Sequence, residues 1–597
     1  MRAATRRYLL VPAAGAGNGV GHLKRCLRLA QALDGEVTFL TRDMDDGGRV
    51  LLGAELHRLK SRSLPKVVRE AQDGRRWDLV VVDKRQTSDE EHAALTVLGP
   101  CVFIDEGGPA REGAGFLIDT LPGPPKRSPA NISSPGLLDL PPRKRRGTGR
   151  TRRVLVSFGG EDRENLTGVL VELLVRKGVF PARAITVVEG ALFPPRCWPA
   201  GINVRAGVGD LRREVWKYDL VFTHFGVTAF ESLASGVPVI LFHPSAYHRL
   251  LGRVAGLPDI GVMRPRTAAL LRLLEDPGRL HAPVRAFHQG LAARRTPSLA
   301  SLLGSLRVTA PGSCPACGRA RRAVAARFAE RTYWHCRDCG VDYLQDFASR
   351  EGRYGRDYFF SEYRAQYGRT YLEDFDSIRA ASAPRVLTIR RLLAGKTTGA
   401  IVDVGCAFGP FLEALRDHGM DGFGIDVSAD AVAHVKKVLG LPAWRGPYEA
   451  VLRGTLPQRI AAVTFWYVIE HFADAGAALD KSWQLLPEGG VLAFSTPNAR
   501  GISGLSNRAG FLQASPFDHL TIFSPRGMRS LLARHGFSLR VLRVTGHHPE
   551  RFPGVLGRLA CGCRAVWKAL HLASRLLGLG DTFEAYAVTT TQATRKT

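Results

Sequence analysis

Short runs of β-branched and apolar residues alternate with helical patterns along most of this chain. In the first 120 residues, four runs bounded by turn residues predict buried strands: Arg7–Pro12, Glu36–Thr41, Asp78–Asp83 and Cys101–Ile104. A second block repeats the pattern at Arg153–Phe158, Ala184–Glu189, Asp219–His224 and Val237–Phe242. A third block runs from Ala400 to about residue 590. Strand–helix alternation of this kind predicts α/β architecture, with parallel sheets covered by helices on both faces.

Changes in composition divide these blocks into segments. We predict a first Rossmann-like lobe over 1–121, a basic Pro-rich linker over 122–153 and a second lobe, which binds a nucleotide, over 154–306. A cysteine-containing segment over 310–345, a Tyr-rich helical connector over 346–395 and a third Rossmann-like domain over 396–597 complete the prediction. A length of 597 residues fits several domains rather than one.

Charge changes this picture less than its size suggests. The net charge is +28, which raises the question of a nucleic-acid partner. However, 69 of the 83 basic residues are arginine, and a compact basic run (143–153) lies in the predicted linker. We therefore attribute the excess of positive charge to one basic segment and an arginine-rich background, and it makes no strong case for a nucleic-acid partner. No apolar run is long enough to span a bilayer, and the basic, then apolar, N-terminus reads as a first strand rather than a signal peptide.

Four of the ten cysteines form two matched pairs, Cys314–Cys317 and Cys336–Cys339, each a Cys-x-x-Cys followed by glycine. Two such knuckles supply four thiolates for a closed tetrahedral Zn²⁺ site, so we predict a structural zinc ribbon. A redox-active pair is the alternative. The other six cysteines are scattered, which favours a reducing, cytoplasmic location. Arginines inside the ribbon keep nucleic-acid binding open beside a purely structural role: Arg319, Arg321, Arg322, Arg327 and Arg331.

Glycine-rich turns follow the first strand of each N-terminal lobe. The first turn contains Gly19 and Gly21 and leads into a helix starting at about His22, whose N-terminus would favour an anion. In the second lobe, Ser157, Gly159 and Gly160 form the turn. Further on, a small-residue loop leads into a helix with Thr228 and Glu231, where a loop can hold a diphosphate and a carboxylate can take ribose hydroxyls.

These motifs resemble those of the two-lobed, GT-B-type nucleotide-sugar enzymes. The Gly-x-Gly-His-x-x-Arg stretch (19–25), the Ser157–Asp162 turn and the Thr-x-x-Glu element (228–231) are most similar to the UDP-sugar hydrolase of pseudaminic-acid biosynthesis and to spore-coat polysaccharide proteins. The resemblance implies that His22 is catalytic and that the ligand is a UDP-linked sugar. Hydrolysis, glycosyl transfer and binding without turnover stay open, because His243, His248 and Arg249 stand where that hydrolase has acidic, Asn- and Gln-rich loops.

A third glycine turn opens the C-terminal block. Asp403, Gly405 and Gly409 form an Asp-x-Gly-x-x-x-Gly turn after a buried strand, and the next strand ends at Asp426. Three further stretches follow in order: Ala462–Phe472, Leu485–Asn498 and Phe517–Ser524.

This series resembles class I S-adenosylmethionine-dependent methyltransferases, and the preceding knuckles are similar to a subgroup linked to sugar and polysaccharide modification. The resemblance implies that Asp403, Gly405 and Gly409 lie under the methionine part of the cofactor and that Asp426 binds its ribose. It places Glu449 near the adenine and Phe465 along the pocket. It also places three candidate catalytic side chains near the acceptor: Glu470, His471 and His519. Capping and packing at a strand end is the alternative role for Glu470 and His471.

Two further patterns have more than one interpretation. Five tyrosines (354, 358, 363, 367, 371) recur at spacings of four or five, which predicts one helical stripe packed in the core or a lid over the site. Val555–Leu579 predicts a basic amphipathic helix, partly buried, with a membrane-surface helix as the alternative.

The combined prediction is a fusion enzyme of nucleotide-sugar or surface-polysaccharide biosynthesis. It would methylate a sugar or glycan with S-adenosylmethionine in its C-terminal half and cleave or transfer a nucleotide sugar in its N-terminal half. An RNA-modifying methyltransferase is one alternative, and a methyltransferase with a non-catalytic nucleotide-sugar-binding module is another.

Overall fold

The structure is a computed structural model that describes residues 5–13, 21–40, 60–62, 76–124, 128–142, 151–160, 162–190, 193, 196–206, 210–293, 297–308, 312–347, 363–364, 368–393 and 398–590. The chain divides into two compact units, residues 1–310 with 327–330, and residues 311–326 with 331–597. Gly19, Tyr354, Tyr358, Tyr367 and most of the basic linker run lie outside the described residues.

The first unit contains two parallel sheets. The first has the order β3-β2-β1-β4-β5-β6-β7 and consists of β1 (Arg7–Pro12), β2 (Glu36–Leu40), β3 (Lys60–Arg62), β4 (Leu79–Asp83), β5 (Cys101–Ile104), β6 (Phe116–Asp119) and β7 (Ile132–Ser133). The second has the order β10-β9-β8-β11-β12-β13 and consists of β8 (Val154–Val156), β9 (Ile185–Glu189), β10 (Asn203–Ala206), β11 (Leu220–Thr223), β12 (Val239–His243) and β13 (Asp259–Val262). In each sheet the strand order reverses beside the first strand, between β1 and β4 and between β8 and β11. Such a reversal opens a crevice at the carboxyl ends of the strands.

Helices cover these sheets, as the alternating pattern predicts. They are α1 (Gly21–Ala32), α2 (Asp89–Leu98), α3 (Ala110–Gly113), α4 (Leu166–Arg176), α5 (Val227–Ala234), α6 (Ala246–Val254), α7 (Thr267–Glu275), α8 (Pro277–Ala293) and α9 (Leu299–Ser305). The predicted strands agree with the observed ones to within two residues at each end. The agreement follows from burial, since strands covered on both faces are apolar throughout and stand out in the sequence.

The second unit contains a small antiparallel sheet and a large mixed one. Its strands are β14 (Arg322–Phe328), β15 (Arg331–Cys336), β16 (Asp342–Asp346), β17 (Ala400–Val404), β18 (Gly422–Asp426), β19 (Ala443–Arg445), β20 (Ile460–Trp466), β21 (Val491–Pro497), β22 (Thr521–Ile522), β23 (Phe537–Thr545) and β24 (Thr582–Thr589). The large sheet has the order β19-β18-β17-β20-β21-β24-β23, with five parallel strands and an antiparallel final pair. The small sheet has the order β14-β15-β16-β22.

Strand β22 joins the cysteine segment to the large domain. It pairs antiparallel with β16, through Asp342 opposite Ile522 and Tyr343 opposite Thr521. The cysteines, Trp334 and Tyr343 share a hydrophobic core with strands of the large sheet. The predicted ribbon is therefore continuous in packing with the C-terminal domain.

Nine helices among the described residues complete the second unit. They are α10 (Phe375–Leu393), α11 (Pro410–Asp417), α12 (Ala429–Lys437), α13 (Ala475–Leu485), α14 (Ile502–Ser506), α15 (Arg508–Ala514), α16 (Pro525–Arg534), α17 (Val555–Gly562) and α18 (Arg564–Leu577).

Two sequence interpretations change here. The predicted single helix over Val555–Leu579 is two helices, because Cys563 between them has an extended backbone (φ −127°, ψ 109°). Tyr371 lies in a turn ahead of α10 rather than on a helix, although its ring packs 5.1 Å from that of Tyr363.

Candidate functional sites

The turn after β17 can be built only with glycine at two positions. Gly405 has φ +70°, and a Cβ there would lie 2.4 Å from Val468 Cγ2. Gly409 has φ +85°, and its Cβ would meet Leu439 Cδ1 at 2.8 Å. Both positions therefore carry no side chain because Val468 and Leu439 fill the space that a Cβ would take, which leaves the backbone of the turn bare.

Two buried carboxyl groups flank this turn. Asp426, at the end of β18, accepts hydrogen bonds from the backbone N–H of Ala407 (2.9 Å) and of Ser428 (2.8 Å), and so holds the turn. Asp403 accepts one from the Thr464 hydroxyl at 2.6 Å. Burial raises the pKa of Asp403 to about 7 and also raises that of Asp426. Two buried carboxyls beside a bare turn fit a ligand that brings an ammonium group and ribose hydroxyls, as S-adenosylmethionine does.

Two other predicted cofactor residues lie in different surroundings. Phe465 is fully buried in an aromatic cluster, with its ring 5.4 Å from Tyr448 and 5.6 Å from Phe472. Glu449 is exposed on a short turn, and its carbonyl accepts a hydrogen bond from Lys481. Their roles at a cofactor stay predictions. Tyr371, in contrast, packs 6.0 Å from the ring of Phe408 in the glycine turn.

Glu470, His471 and His519 come together at the next strand end. Their ligand atoms all lie within 4.8 Å of one another, and the two imidazole rings are 4.8 Å apart. Neither carboxylate oxygen of Glu470 has a hydrogen-bond partner among the described residues, and burial raises the pKa of that carboxyl to about 7. Burial lowers the pKa of His519 to about 3. Such a cluster can move a proton or hold a metal ion.

Asp518 orients His471, and the sequence interpretation missed it. Nδ1 of His471 lies 3.2 Å from Asp518 Oδ2 and 3.1 Å from its carbonyl oxygen, which leaves Nε2 for other chemistry. Although burial alone would lower it, this hydrogen bond holds the pKa of His471 above its usual value. The only feature of the sequence that could have pointed to Asp518 is its position directly before the predicted site residue His519.

The four cysteines form a compact cluster that fits one zinc ion. Sγ of Cys314 lies 3.5 Å from that of Cys339, and Sγ of Cys317 lies 3.6 Å from that of Cys336. Tetrahedral Zn–S bonds of about 2.3 Å place sulfur atoms about 3.8 Å apart, close to both values. Each knuckle also turns in the same way, because Gly318 and Gly340, both at positive φ, donate to the carbonyls of Cys314 and Cys336.

In the first unit, the structure places a buried carboxylate behind His22. Asp83, at the end of β4, lies 2.6 Å from His22 Nδ1 and 2.5 Å from Arg25 Nη2. Although burial alone would raise it, the charges of Arg25 and His22 hold the pKa of Asp83 well below its usual range. The pairing fixes the imidazole so that Nε2 can face a ligand. Asp83 was missed as a site residue, since it reads as the last residue of a strand.

Helix α1 also contacts the predicted ribose ligand of the second lobe. Arg28 Nη1 lies 3.5 Å from Glu231 Oε1, and Arg28 Nη2 lies 3.5 Å from Asp210 Oδ1. Burial raises the pKa of Glu231. An ion pair through Arg28 therefore connects α1, which carries His22, to α5, which carries Glu231, within this unit.

The glycine turn of the second lobe is braced by a histidine. His224 Nε2 lies 3.1 Å from the carbonyl of Phe158, and its Nδ1 lies 2.9 Å from that of Phe225. A Cβ on Gly159, which has φ +91°, would lie 3.5 Å from His224 Nε2. Gly160 packs against Gly190, whose Cβ would come within 2.4 Å of it. Ser157 is buried at the start of the turn, and Thr228 is the second residue of α5.

Comparison with known proteins identifies the C-terminal domain. Residues 378–541 match a family model described as a methyltransferase domain. Ubiquinone biosynthesis O-methyltransferase of Methylococcus capsulatus is 32% identical over 139 residues, which is 23% of this chain and 55% of that protein. The protein of the same name from Psychrobacter arcticus is 28% identical over 173 residues, 26% of this chain and 65% of that protein. The chain thus spans about half to two thirds of the length of these relatives.

Solved methyltransferase structures are also similar. Magnesium protoporphyrin IX methyltransferase from Synechocystis PCC 6803, solved with bound SAH, is 16% identical; the match covers 39% of this chain and 98% of that one, with a TM-score of 0.27. The family match defines the class of the region that carries the glycine turn. Residues 378–541 form a class I, S-adenosylmethionine-type methyltransferase domain.

Proposed function

We propose that this chain is an S-adenosylmethionine-dependent methyltransferase whose acceptor is a sugar or glycan, and that its N-terminal unit binds a UDP-linked sugar. The observation that carries the first part is the glycine turn with its two buried carboxyls, Asp403 and Asp426, next to the cluster of Glu470, His471 and His519. Val468, against which Gly405 packs, lies two residues before Glu470, so the turn and the cluster are neighbours.

The roles of the side chains follow from their contacts. S-adenosylmethionine, when bound, supplies a methyl group on a positively charged sulfur. Asp426 fixes the turn and offers acceptor oxygens to ribose hydroxyls, while Asp403 lies buried beneath the turn. His471, oriented by Asp518, takes the proton that the acceptor loses, and Glu470 faces it from the buried side. The cluster suits an acceptor that must be deprotonated, such as a hydroxyl.

Two measurements on the full chain separate cofactor binding from methyl transfer. Titration calorimetry with S-adenosylmethionine should show binding, which Asp426→Asn weakens and His471→Ala leaves intact. Formation of S-adenosylhomocysteine with UDP-linked sugars as acceptors, followed by mass spectrometry, should fall at least 100-fold in His471→Ala. His548→Ala is the matched control, because that histidine is paired with Glu550 outside the cluster. Absence of S-adenosylmethionine binding by the wild type would refute the proposal.

The nucleotide-sugar part rests on the arrangement of the first unit. A carboxylate-oriented imidazole at the start of α1, a bare glycine turn in the second lobe and buried Glu231 are what a nucleotide sugar needs for a polarised leaving group, a diphosphate and a ribose. The two activities would then act on related substrates within surface-polysaccharide or nucleotide-sugar biosynthesis.

UDP tests this part directly. Calorimetry should detect UDP binding, which Glu231→Gln weakens at least tenfold. If His22→Ala binds UDP normally but loses cleavage of a UDP-linked sugar that the wild type performs, the unit is an enzyme. If the wild type binds UDP without cleaving or transferring any sugar, the unit is a binding module. No UDP binding would refute this part and leave the methyltransferase proposal intact.

A further inference from the structure

Most of the large apolar side chains on helices α17 and α18 are exposed, Val566 and Leu570 are half-buried, and the fully buried positions are small residues. The residues buried along the two helices are Gly557, Ala560 and Ser574. The exposed large apolar residues are Val555, Leu556, Leu559, Trp567, Leu572, Leu576 and Leu577, of which Leu576 is 77% exposed and Leu577 is 70% exposed. A helix that packs on its own domain normally shows the opposite distribution. This concentration of apolar surface therefore indicates a partner outside the domain.

Charge identifies the chemistry of that partner. No acidic residue occurs between Glu550 and Asp581, while Arg558, Arg564, Lys568 and Arg575 lie on the two helices.

On α18 the basic and apolar positions form adjacent stripes. Arg564, Lys568, His571 and Arg575 are spaced 4, 3 and 4 residues apart and share one helical face. Ala565, Ala569, Leu572 and Leu576 follow the same spacing one residue later, and so line the neighbouring face. Lysine and arginine beside an apolar stripe can bind anionic headgroups while the leucines enter the acyl boundary.

We propose that α17 and α18 form a membrane-docking surface that binds the anionic headgroup face of a lipid bilayer and lies in its plane. Trp567 stacks on His571 at 4.9 Å and so borders the basic stripe, and tryptophan is enriched where proteins meet the bilayer interface. In the part of the chain that the structure describes, no helix is long and apolar enough to cross a bilayer, so docking is peripheral. The docking surface needs no methyl acceptor and is independent of the proposed activity.

Vesicle flotation with the full-length protein tests this. Vesicles of phosphatidylcholine with 30% phosphatidylglycerol should bind the chain at least tenfold better than vesicles of phosphatidylcholine alone, and raised salt should weaken binding. The triple variant Arg564→Gln, Lys568→Gln, Arg575→Gln should lower the partition coefficient about 100-fold, because each basic residue contributes about 1 kcal/mol at an anionic surface, a factor of about five.

A second variant tests the apolar stripe. Leu572→Glu with Leu576→Glu replaces exposed residues, so the fold should survive, and it should abolish flotation. The matched control is Leu452→Glu, a substitution of a leucine that is 74% exposed elsewhere in the unit, and it should float like the wild type.

Two results would overturn the proposal. One is wild-type protein that does not float with anionic vesicles. The other is a wild-type dimer, seen by light scattering, that the leucine double variant makes monomeric without changing flotation, since the surface would then bind a second copy of the chain. Neither result bears on the formation of S-adenosylhomocysteine measured without vesicles, so the methyltransferase proposal is tested separately.

Discussion

Replacing Arg331 by alanine should release the segment that carries His519. Arg331 is buried in the cysteine ribbon, and its guanidinium donates to the carbonyls of Gln513 (3.0 Å) and Ser515 (3.2 Å), with longer contacts to Leu512 and Pro516. It also lies 4.2 Å from the ring centroid of Phe517. One side chain of the ribbon thus contacts five of the six positions from 512 to 517 in the segment that leads to the site.

The magnitude follows from these contacts. Hydrogen bonds from a charged donor contribute about 1.5 kcal/mol or more each, and the two shorter ones therefore give about 3 kcal/mol of local stability. Removing the guanidinium also leaves buried carbonyls without their donor, which adds to the cost. A loss of about 3 kcal/mol in the free energy of local opening corresponds to a roughly 100-fold rise in the rate of amide exchange.

Hydrogen exchange with mass spectrometry measures this directly in the full chain. In Arg331→Ala, peptides covering 512–524 should exchange about 100-fold faster, while peptides of the first unit stay unchanged. Arg331→Lys should restore part of the protection, and Arg529→Ala, which removes an exposed arginine of α16, should have no effect. Unchanged exchange of 512–524 in Arg331→Ala would refute the reasoning that the ribbon positions this segment.

Three further predictions follow from other contacts. Removing the zinc that we predict at the four cysteines with a chelator, or Cys339→Ser, should speed exchange of the same segment, because Cys339 lies in the ribbon that pairs with β22; unchanged exchange after metal loss, verified by elemental analysis, would contradict this. Burial raises the pKa of Asp403 to about 7, so its contribution to stability is full below about pH 4 and is lost as pH rises through 7. Asp403→Asn should therefore flatten the fall in stability between about pH 4 and 7, as measured by chemical denaturation, and a wild-type profile without that fall would contradict it. If the first unit cleaves a UDP-linked sugar as we propose, Asp83→Asn should lower cleavage more than UDP binding, because Asp83 is fully buried and contacts His22; an equal loss of both, or of neither, would count against that role.

Local patterns predicted the strands and the cluster of four cysteines because the signals of both are local. Strands buried on both faces are apolar throughout, and the knuckles place four cysteines at fixed spacings with glycines after them. Pairs of residues that lie far apart in the sequence and meet only in the fold could not be predicted. Asp83 lies 61 residues from His22, and nothing in the sequence joins the two. The break at Cys563 did have a local signal, because Gly562 stands directly before it, but the sequence interpretation did not use it.

The ribbon's arginines bear on the choice between a glycan and an RNA partner. Arg319 and Arg321 both lie within 3.5 Å of Asp338, and Arg322 stacks on Trp334 with 5.0 Å to the ring centroid. Arg327 is buried and donates to the carbonyls of Ala114 and Arg111 within the first unit, just as Arg331 donates to carbonyls of the second.

Arg327 and Arg331 are buried and donate to backbone carbonyls, so they are not available to phosphates. Arg319 and Arg321 share one carboxylate, and their side chains are 70% and 75% exposed, so this ion pairing does not keep them from a phosphate. The ribbon therefore offers few guanidinium groups to phosphates, and we predict weak RNA binding. Tight RNA binding that falls steeply with salt and with Arg319→Gln combined with Arg321→Gln would contradict this prediction.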